Sequence, residues 1–339
     1  MPLEIDMLAL GNADAIIVQV YDAYHHATIL IDGGNADDGQ KVVRHINTWA
    51  KGKIDLLINS HPDADHVDGL KTVINELPVA QVLIHDPSAH RKDIKDLIRK
   101  FSLSTFKEAQ SAYKSLSAAN DLINLIDEKR IPRSEPFYGI SYSLPENTSL
   151  TVVGPTEDYY NELLAGMDEA VELASLVEMR ESLERALRAQ RGLGTQITTK
   201  SQSPEEVLDE KNDESPSNNS SALVLVTYHG LKYLFTADAG PPSLDRASES
   251  YNFRTLRWMQ VPHHGSRRNL TSELVAHFSP TLAYVSAVGG DDKKHPNPNV
   301  VQALKNVGCK VYGTNKSGNL WHHNGAVQDR EGYTTAEPL

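Results

Sequence analysis

The sequence predicts a layered α/β fold, a four-layer αββα sandwich. Three observations carry this: strand and helix patterns alternate, that order recurs in the second half, and the composition supports one large core. The chain has 339 residues, 40% of them hydrophobic and 23% charged. That excludes collagen-like, coiled-coil and wholly disordered classes.

In the first half, apolar runs rich in β-branched residues at 3–10, 14–20 and 27–32 are divided by Gly11-Asn12 and a polar turn at 22–26, which predicts an antiparallel start. The spacing of Val42, Val43, Ile46 and Trp49 predicts a helix over 38–49, and 54–59 reads as a buried strand running straight into His61. A helix over 66–77 and a strand over 79–85 follow. Between 87 and 220 the character changes. Residues 91–100, 105–129 and 157–191 read as helices, with a strand pair at 138–144 and 149–153 between the last two. The last helix has two apolar faces, Tyr160, Leu164, Met167 and Val171, then Leu176, Met179, Leu183 and Leu187. Residues 198–221, rich in Ser, Asn, Pro and Glu, are expected to be mobile, because they have too little apolar surface to offset ordering. Strands resume at 222–228 and 231–237, joined by His229-Gly230, and at 256–261, 281–287 and 310–313, with helices at 272–278 and 299–306. The expected organisation is therefore a main domain of 1–86 and 221–339, a mainly helical insertion over 87–197, and a mobile linker over 198–220.

Lys and Arg total 33 against 45 Asp and Glu, a net charge of −12, so no broad polyanion-binding surface is expected. One cysteine, Cys309, excludes a thiolate zinc cluster and leaves His, Asp and Glu as the metal ligands available. The first six residues lack a basic or apolar leader pattern, and no stretch approaches the roughly 20 apolar residues of a membrane helix. A cytoplasmic location without membrane contact is the expectation.

The densest chemical signal is His61-Pro62-Asp63-Ala64-Asp65-His66, four potential ligands within six residues in the loop beyond a buried strand. Helix capping by Asp65 would explain one carboxylate but neither histidine. Asp238 in Thr236-Ala237-Asp238, the pair His263-His264 before Gly265-Ser266, and His295 before Pro296 also end strands or lie in connecting loops, so a shared sheet rim can gather them. Arg267-Arg268 and Lys293-Lys294 flank two of these loops, where they would clamp phosphate locally or be solvated loop charge beside Asp291-Asp292. His229 reads as a hairpin turn, and His322-His323 as an exposed turn after an edge strand.

In order along the chain, Gly11-Asn12-Ala13-Asp14-Ala15, Ile29-Leu30-Ile31-Asp32-Gly33-Gly34, His61-x-Asp63-x-Asp65-His66, Thr236-Ala237-Asp238, His263-His264-Gly265-Ser266 and His295-Pro296 resemble the metallo-β-lactamase fold superfamily. With Asp63 where many members carry His, the pattern is similar to the hydrolase domain of ComEC-type DNA-uptake proteins. The motifs run from 11 to 296 and leave the helical stretch unmatched. The resemblance implies two divalent ions, Zn or Mn. His61 and Asp63 would hold one and Asp65 and His66 the other. Asp238 would bridge them, a late histidine would complete the second, and His263 and His295 are the further expected metal ligands. The usual third histidine before Asp238 is missing, so water or His263 would complete the first ion, and Asn219, Ser220 or Ser221 lies where ComEC-type sequences carry a polar element. One of His263 and His264 would ligate and the other donate a proton or bind phosphate. Asp65, His263 and His264 are thus the expected catalytic residues, and Asn219, Ser266, Arg267, Arg268 and Lys294 the expected substrate contacts. The implied activity is hydrolysis of phosphodiesters by a metal-activated hydroxide, on nucleotides or single-stranded nucleic acid. The alternatives are a thioester or lactam hydrolase and a non-catalytic, metal-stabilised binding protein. The helical insertion would control access, form a homodimer or hold a protein partner.

Overall fold

The structure, a computed structural model, describes residues 3–190, 208, 212–288, 295–324, 330, 333 and 335–339. Strands β1 (Leu3–Met7), β2 (Ile16–Tyr21), β3 (His26–Ile31), β4 (Leu56–Ile58), β5 (Val82–Leu83) and β6 (Arg133–Ser134) build one sheet. Strands β7 (Ser141–Leu144), β8 (Thr148–Gly154), β9 (Leu223–Tyr228), β10 (Leu231–Phe235), β11 (Trp258–Gln260), β12 (Leu282–Val285) and β13 (Lys310–Gly313) build the second, and β14 (Leu320–Asn324) returns to the first beside β1. The orders are β14-β1-β2-β3-β4-β5-β6 and β13-β12-β11-β10-β9-β8-β7. Each sheet begins as an antiparallel meander and continues parallel, from β3 in the first and β10 in the second. The repeat expected from the sequence is therefore the architecture, the metallo-β-lactamase fold.

The side-chain period of two explains how one strand serves two layers. In β2, Ile16, Val18 and Val20 enter the core between the sheets with Leu150, Val224, Val226, Phe235 and Trp258 from the facing sheet. Ile17 points the other way, into a layer filled by Val42, Val43 and Ile46 of helix Gly39–Trp49 and by Val67, Leu70 and Val73 of helix Ala64–Glu76. The second sheet's outer face is covered by Leu244, Leu274, Phe278, Val300 and Leu304 from later helices. Each large side chain so buried contributes roughly 1.5–3 kcal/mol of transfer free energy.

The stretch 87–197 divides. Leu97, Phe101, Leu116, Tyr160 and Leu164 of helices Ile94–Ser102, Lys107–Glu128 and Glu157–Gln190 share a cluster of their own. Yet β6, β7 and β8 are integral sheet strands, and Leu122 and Ile126 pack beneath the first sheet's helices. The second apolar face of the long helix is bare, with Leu176, Met179 and Leu183 exposed by 61%, 52% and 60%. Residues 212–220, expected to be mobile, are instead folded: Pro216–Asn219 is a helical turn and Asp213, Asn218 and Asn219 are buried. Their polar side chains offset ordering by hydrogen bonding rather than by apolar burial. Most of the remaining expected linker lies outside the described residues. His322 is also corrected, since it lies within β14, buried against Tyr233 and Tyr284. Among the described residues no helix is long and apolar enough to cross a membrane.

Candidate metal centre

Every group at the centre follows the carboxyl end of a strand, where polar loops emerge from an apolar sheet. Beyond β3 lies Asp32, beyond β4 lie Asn59, Ser60 and His61, beyond β10 lies Asp238, beyond β11 the His263-His264 pair, and beyond β12 Ser286. Helix Ala64–Glu76 starts between them, carrying Asp65 and His66 in its first turn. Its approach depends on two glycines. A Cβ on Gly69 would lie 1.9 Å from the carbonyl oxygen of Gly33, and the close contact allows Gly33 N–H to donate to His66 O and Gly69 N–H to Gly34 O. Gln260 ties the two rims together: its Oε1 accepts from the N–H groups of Thr236 and Ala237 while its Nε2 donates to Asp14 at 2.7 Å.

Asp238 stands at the middle, with one oxygen turned to each side. Its Oδ2 is 4.0 Å from His61 Nε2 and 3.6 Å from His263 Nε2, and its Oδ1 is 3.5 Å from His66 Nε2. Asp63 Oδ2 lies 3.7 Å from His61 Nε2, on the Oδ2 side. On the Oδ1 side Asp65 Oδ2 lies 3.5 Å from His264 Nε2 and 4.0 Å from His66 Nε2. Among the described residues, two clusters have donor atoms close enough to share a cation, His61 with His66 and Asp238, and Asp65 with His66 and His264. Partners behind the ligands fix their aim. Asp32 Oδ2 lies 2.8 Å from His66 Nδ1 and is held by the Ser60 hydroxyl, so Nε2 faces the centre. Ser115 and Ser217 both donate to Asp63 Oδ1, at 2.8 and 2.6 Å. His263 and His264 are left-handed at φ 46° and 53°, at a cost of order 1–3 kcal/mol each, which turns both rings inward from consecutive positions.

The donor set fits cations. His61 Nε2, His66 Nε2, His264 Nε2 and Asp238 Oδ1 are buried without a hydrogen-bond partner and converge on one another. Orphaned buried groups are costly, and cations shared within the two clusters would satisfy them. The electrostatics agree. Burial opposes charge on His66, His263 and His264, yet Asp238 and the neighbouring carboxylates raise all three, His263 to about 9. Burial likewise works against the Asp238 carboxylate, but His263, His66 and His264 hold it well below the ordinary range. The same carboxylates that raise these imidazoles favour positive charge placed among them.

The structure brings together His61, Asp63, Asp65, His66, Asp238, His263 and His264. His295 stacks on His263 with ring centroids 5.9 Å apart but belongs to neither donor cluster, and His264 faces Asp65. Asn219 is not open to substrate, because a folded turn consumes it. Its amide donates to Asp213 O and Ser215 O, and its oxygen accepts from Ser243 N–H. Ser266 is buried and accepts from Arg268 N–H, while the Arg268 guanidinium donates to Asn212 O. Arg267 is exposed, and Lys293 and Lys294 lie outside the described residues. Sequence reasoning missed Asp213, whose Oδ2 is 3.3 Å from His263 Nδ1, and Ser115, Ser217 and Ser286. None of these carries a local signal, since each meets its partner across 22 to 154 positions.

Residues 10–126 match the family model of the metallo-beta-lactamase superfamily. A stretch of 108 residues is 24% identical to ComE operon protein 3 of Bacillus subtilis, covering 32% of this chain and 14% of that protein, so the chain spans only a small part of that relative's length. Among solved structures, the metallo-beta-lactamase fold protein YhfI from Bacillus subtilis is similar over 96% of this chain and 100% of its own, at 9% identity and TM-score 0.45. A metallo-beta-lactamase with a HARLDQ motif from Cronobacter sakazakii is similar over 75% of this chain and 70% of its own, at 12% identity and TM-score 0.35.

Proposed function

We propose that this chain, which has the metallo-β-lactamase fold and resembles that superfamily of metal-dependent hydrolases, cleaves phosphodiester bonds in nucleotides or single-stranded nucleic acid with two divalent cations. The observation that carries the reading is Asp238, which offers Oδ2 to the group with His61 and Oδ1 to the group with His66. A single carboxylate facing two donor sets is what a bridging ligand requires. His61, Asp63 and His263 would hold one ion, and Asp65, His66 and His264 the other. Bound there, a cation pair supplies deprotonated water near neutral pH and positive charge for the group under attack, and hard oxygen and imidazole donors suit Zn or Mn.

The side chains do the rest. Asp32 keeps His66 in one tautomer. His264 Nδ1 lies 3.1 Å from Ser286 Oγ, which in turn donates to Asp14, and this path can hold or deliver a proton at the imidazole. Exposed Arg267, two residues after Gly265, presents a guanidinium suited to a phosphate oxygen. The similarity of a 108-residue stretch to ComE operon protein 3, together with the resemblance of the motifs to ComEC-type DNA-uptake proteins, supports nucleic acid as the substrate class. The bare stripe of Leu176, Met179 and Leu183 supports a contact with another chain.

The test is metal content together with bis(p-nitrophenyl) phosphate hydrolysis for the native chain and Asp65→Ala. The variant is expected to lose one ion and at least about 100-fold in turnover, the upper end of what even outer-shell partners cost. Equal turnover in the two proteins removes the catalytic assignment. Turnover of a thioester without phosphodiester cleavage moves the assignment to carbonyl chemistry.

A further inference from the structure

The two donor sets are not supported alike. The set around Asp65, His66 and His264 is held by the strand ends themselves, through Asp32, Ser60 and Ser286. The other set leans on residues 212–219, a polar segment that is in neither sheet. Asp213 is buried, and its Oδ2 is 3.3 Å from His263 Nδ1. That oxygen also accepts from Asn218 Nδ2 at 2.7 Å and from Asn269 Nδ2 at 3.1 Å, while Oδ1 accepts from Ser215 N–H at 3.0 Å. Four residues on, Ser217 donates to Asp63 Oδ1 at 2.6 Å, and Ser115 of helix Lys107–Glu128 donates to the same oxygen at 2.8 Å. The donor atoms left free are His263 Nε2 and Asp63 Oδ2. They form a run with His61 and Asp238: Asp63 Oδ2 to His61 Nε2 3.7 Å, His61 Nε2 to Asp238 Oδ2 4.0 Å, Asp238 Oδ2 to His263 Nε2 3.6 Å.

We infer that residues 212–219 assemble one cation position and not the other, with Asp213 and Ser217 as positioning residues that aim His263 Nε2 and Asp63 Oδ2 at it. The reasoning is steric and chemical. A carboxylate that accepts the Nδ1 proton of an imidazole selects the tautomer whose Nε2 lone pair is free to ligate, and removes ring rotation as a cost of binding. A carboxylate with one oxygen occupied by two hydroxyl donors offers its other oxygen in a single direction. One segment does both, from opposite sides of the run, and so supports His263 in the place of the missing third histidine. The inference rests on the two-cation reading above.

The test is a Zn²⁺ titration of the full chain by calorimetry with chelator competition, with thermal unfolding of each metal-free protein measured alongside. The native chain is expected to bind two ions per chain. Asp213→Ala is expected to weaken one binding step by about 10- to 100-fold, the range for outer-shell partners of metal ligands, and to leave the other step within about twofold. Asp213→Asn keeps an acceptor oxygen and should restore most of that step, while Ser217→Ala, a milder change, should weaken the same step alone. Two native-like steps in both Asp213→Ala and Ser217→Ala, or equal weakening of both steps in either, overturns the inference and leaves the two-cation reading intact. A native chain that binds fewer than two ions overturns that reading, and this inference with it.

Discussion

His85 shows how a titratable side chain near this centre serves stability rather than chemistry. It follows β5, is buried, and stacks on Tyr160 with ring centroids 4.3 Å apart, with Phe137 at 5.0 Å. Burial first, and then the nearby His90, push its pKa down to about 3. An unfolded chain takes up this proton near pH 6.5, whereas the folded chain refuses it until about pH 3. The folded pKa is the lower of the two, so the group costs nothing above pH 6.5 and drains stability as pH falls through that window, by up to about 1.4 kcal/mol per pH unit. Urea unfolding midpoints of the native chain and His85→Leu, measured from pH 7 to pH 4, should therefore converge or cross as pH falls. Parallel curves would show that His85 is not held neutral.

Helix Ala64–Glu76 is the element on which the centre depends, since its first turn carries Asp65 and His66 and its seat is the Gly33–Gly69 contact. Because the Cβ of alanine at 69 would meet backbone rather than a yielding side chain, the helix must move outward. Gly69→Ala is expected to cost roughly 1–3 kcal/mol in the unfolding free energy, as overpacking does, and to lower metal affinity through residues it never touches. A variant with native stability and native metal content would show that the helix can seat another way. The sequence makes this helix legible because Val67, Leu70, Val73 and Ile74 repeat at helical spacing, and the strand that leads to it because Leu56, Leu57 and Ile58 form a short apolar run after Ile54. It makes His61 to His66 legible because four ligand types crowd one loop. Helix Pro241–Ser250 escapes such reading because Pro241-Pro242 looks like a break, although proline in the first turn removes only N–H groups that have no partner there. Residues 212–219 escape it for another reason: their order comes from Asp63, His263 and Asn269, which lie 50 to 154 positions away in the chain.

At the scale of the molecule, the first sheet supplies His61, Asp63, Asp65 and His66, and the second supplies Asp238, His263 and His264. The centre exists only where the two rims face each other, and the packing of Ile16, Val18 and Val20 against Val224, Val226 and Phe235 holds them there. Two divalent cations would make this small region positive within a chain of net charge −12. The two fields act over different ranges. Screening at 0.1 M salt has a length of about 10 Å, so on the proposed reading the centre would act on the phosphate under attack and the net negative charge of the chain on anything longer. A dinucleotide would meet only the first field, and a long duplex both. At 50 mM salt the chain is therefore expected to show a higher kcat/KM on a dinucleotide than, per bond, on duplex DNA, and the gap should narrow as salt is raised to 300 mM and the repulsion is screened. Steady-state rates on both substrates across that range check this. Duplex cleavage that is faster at low salt and falls steeply as salt rises would mean that basic residues make an extended phosphate track, as counterion release requires, and would overturn a short or single-stranded substrate.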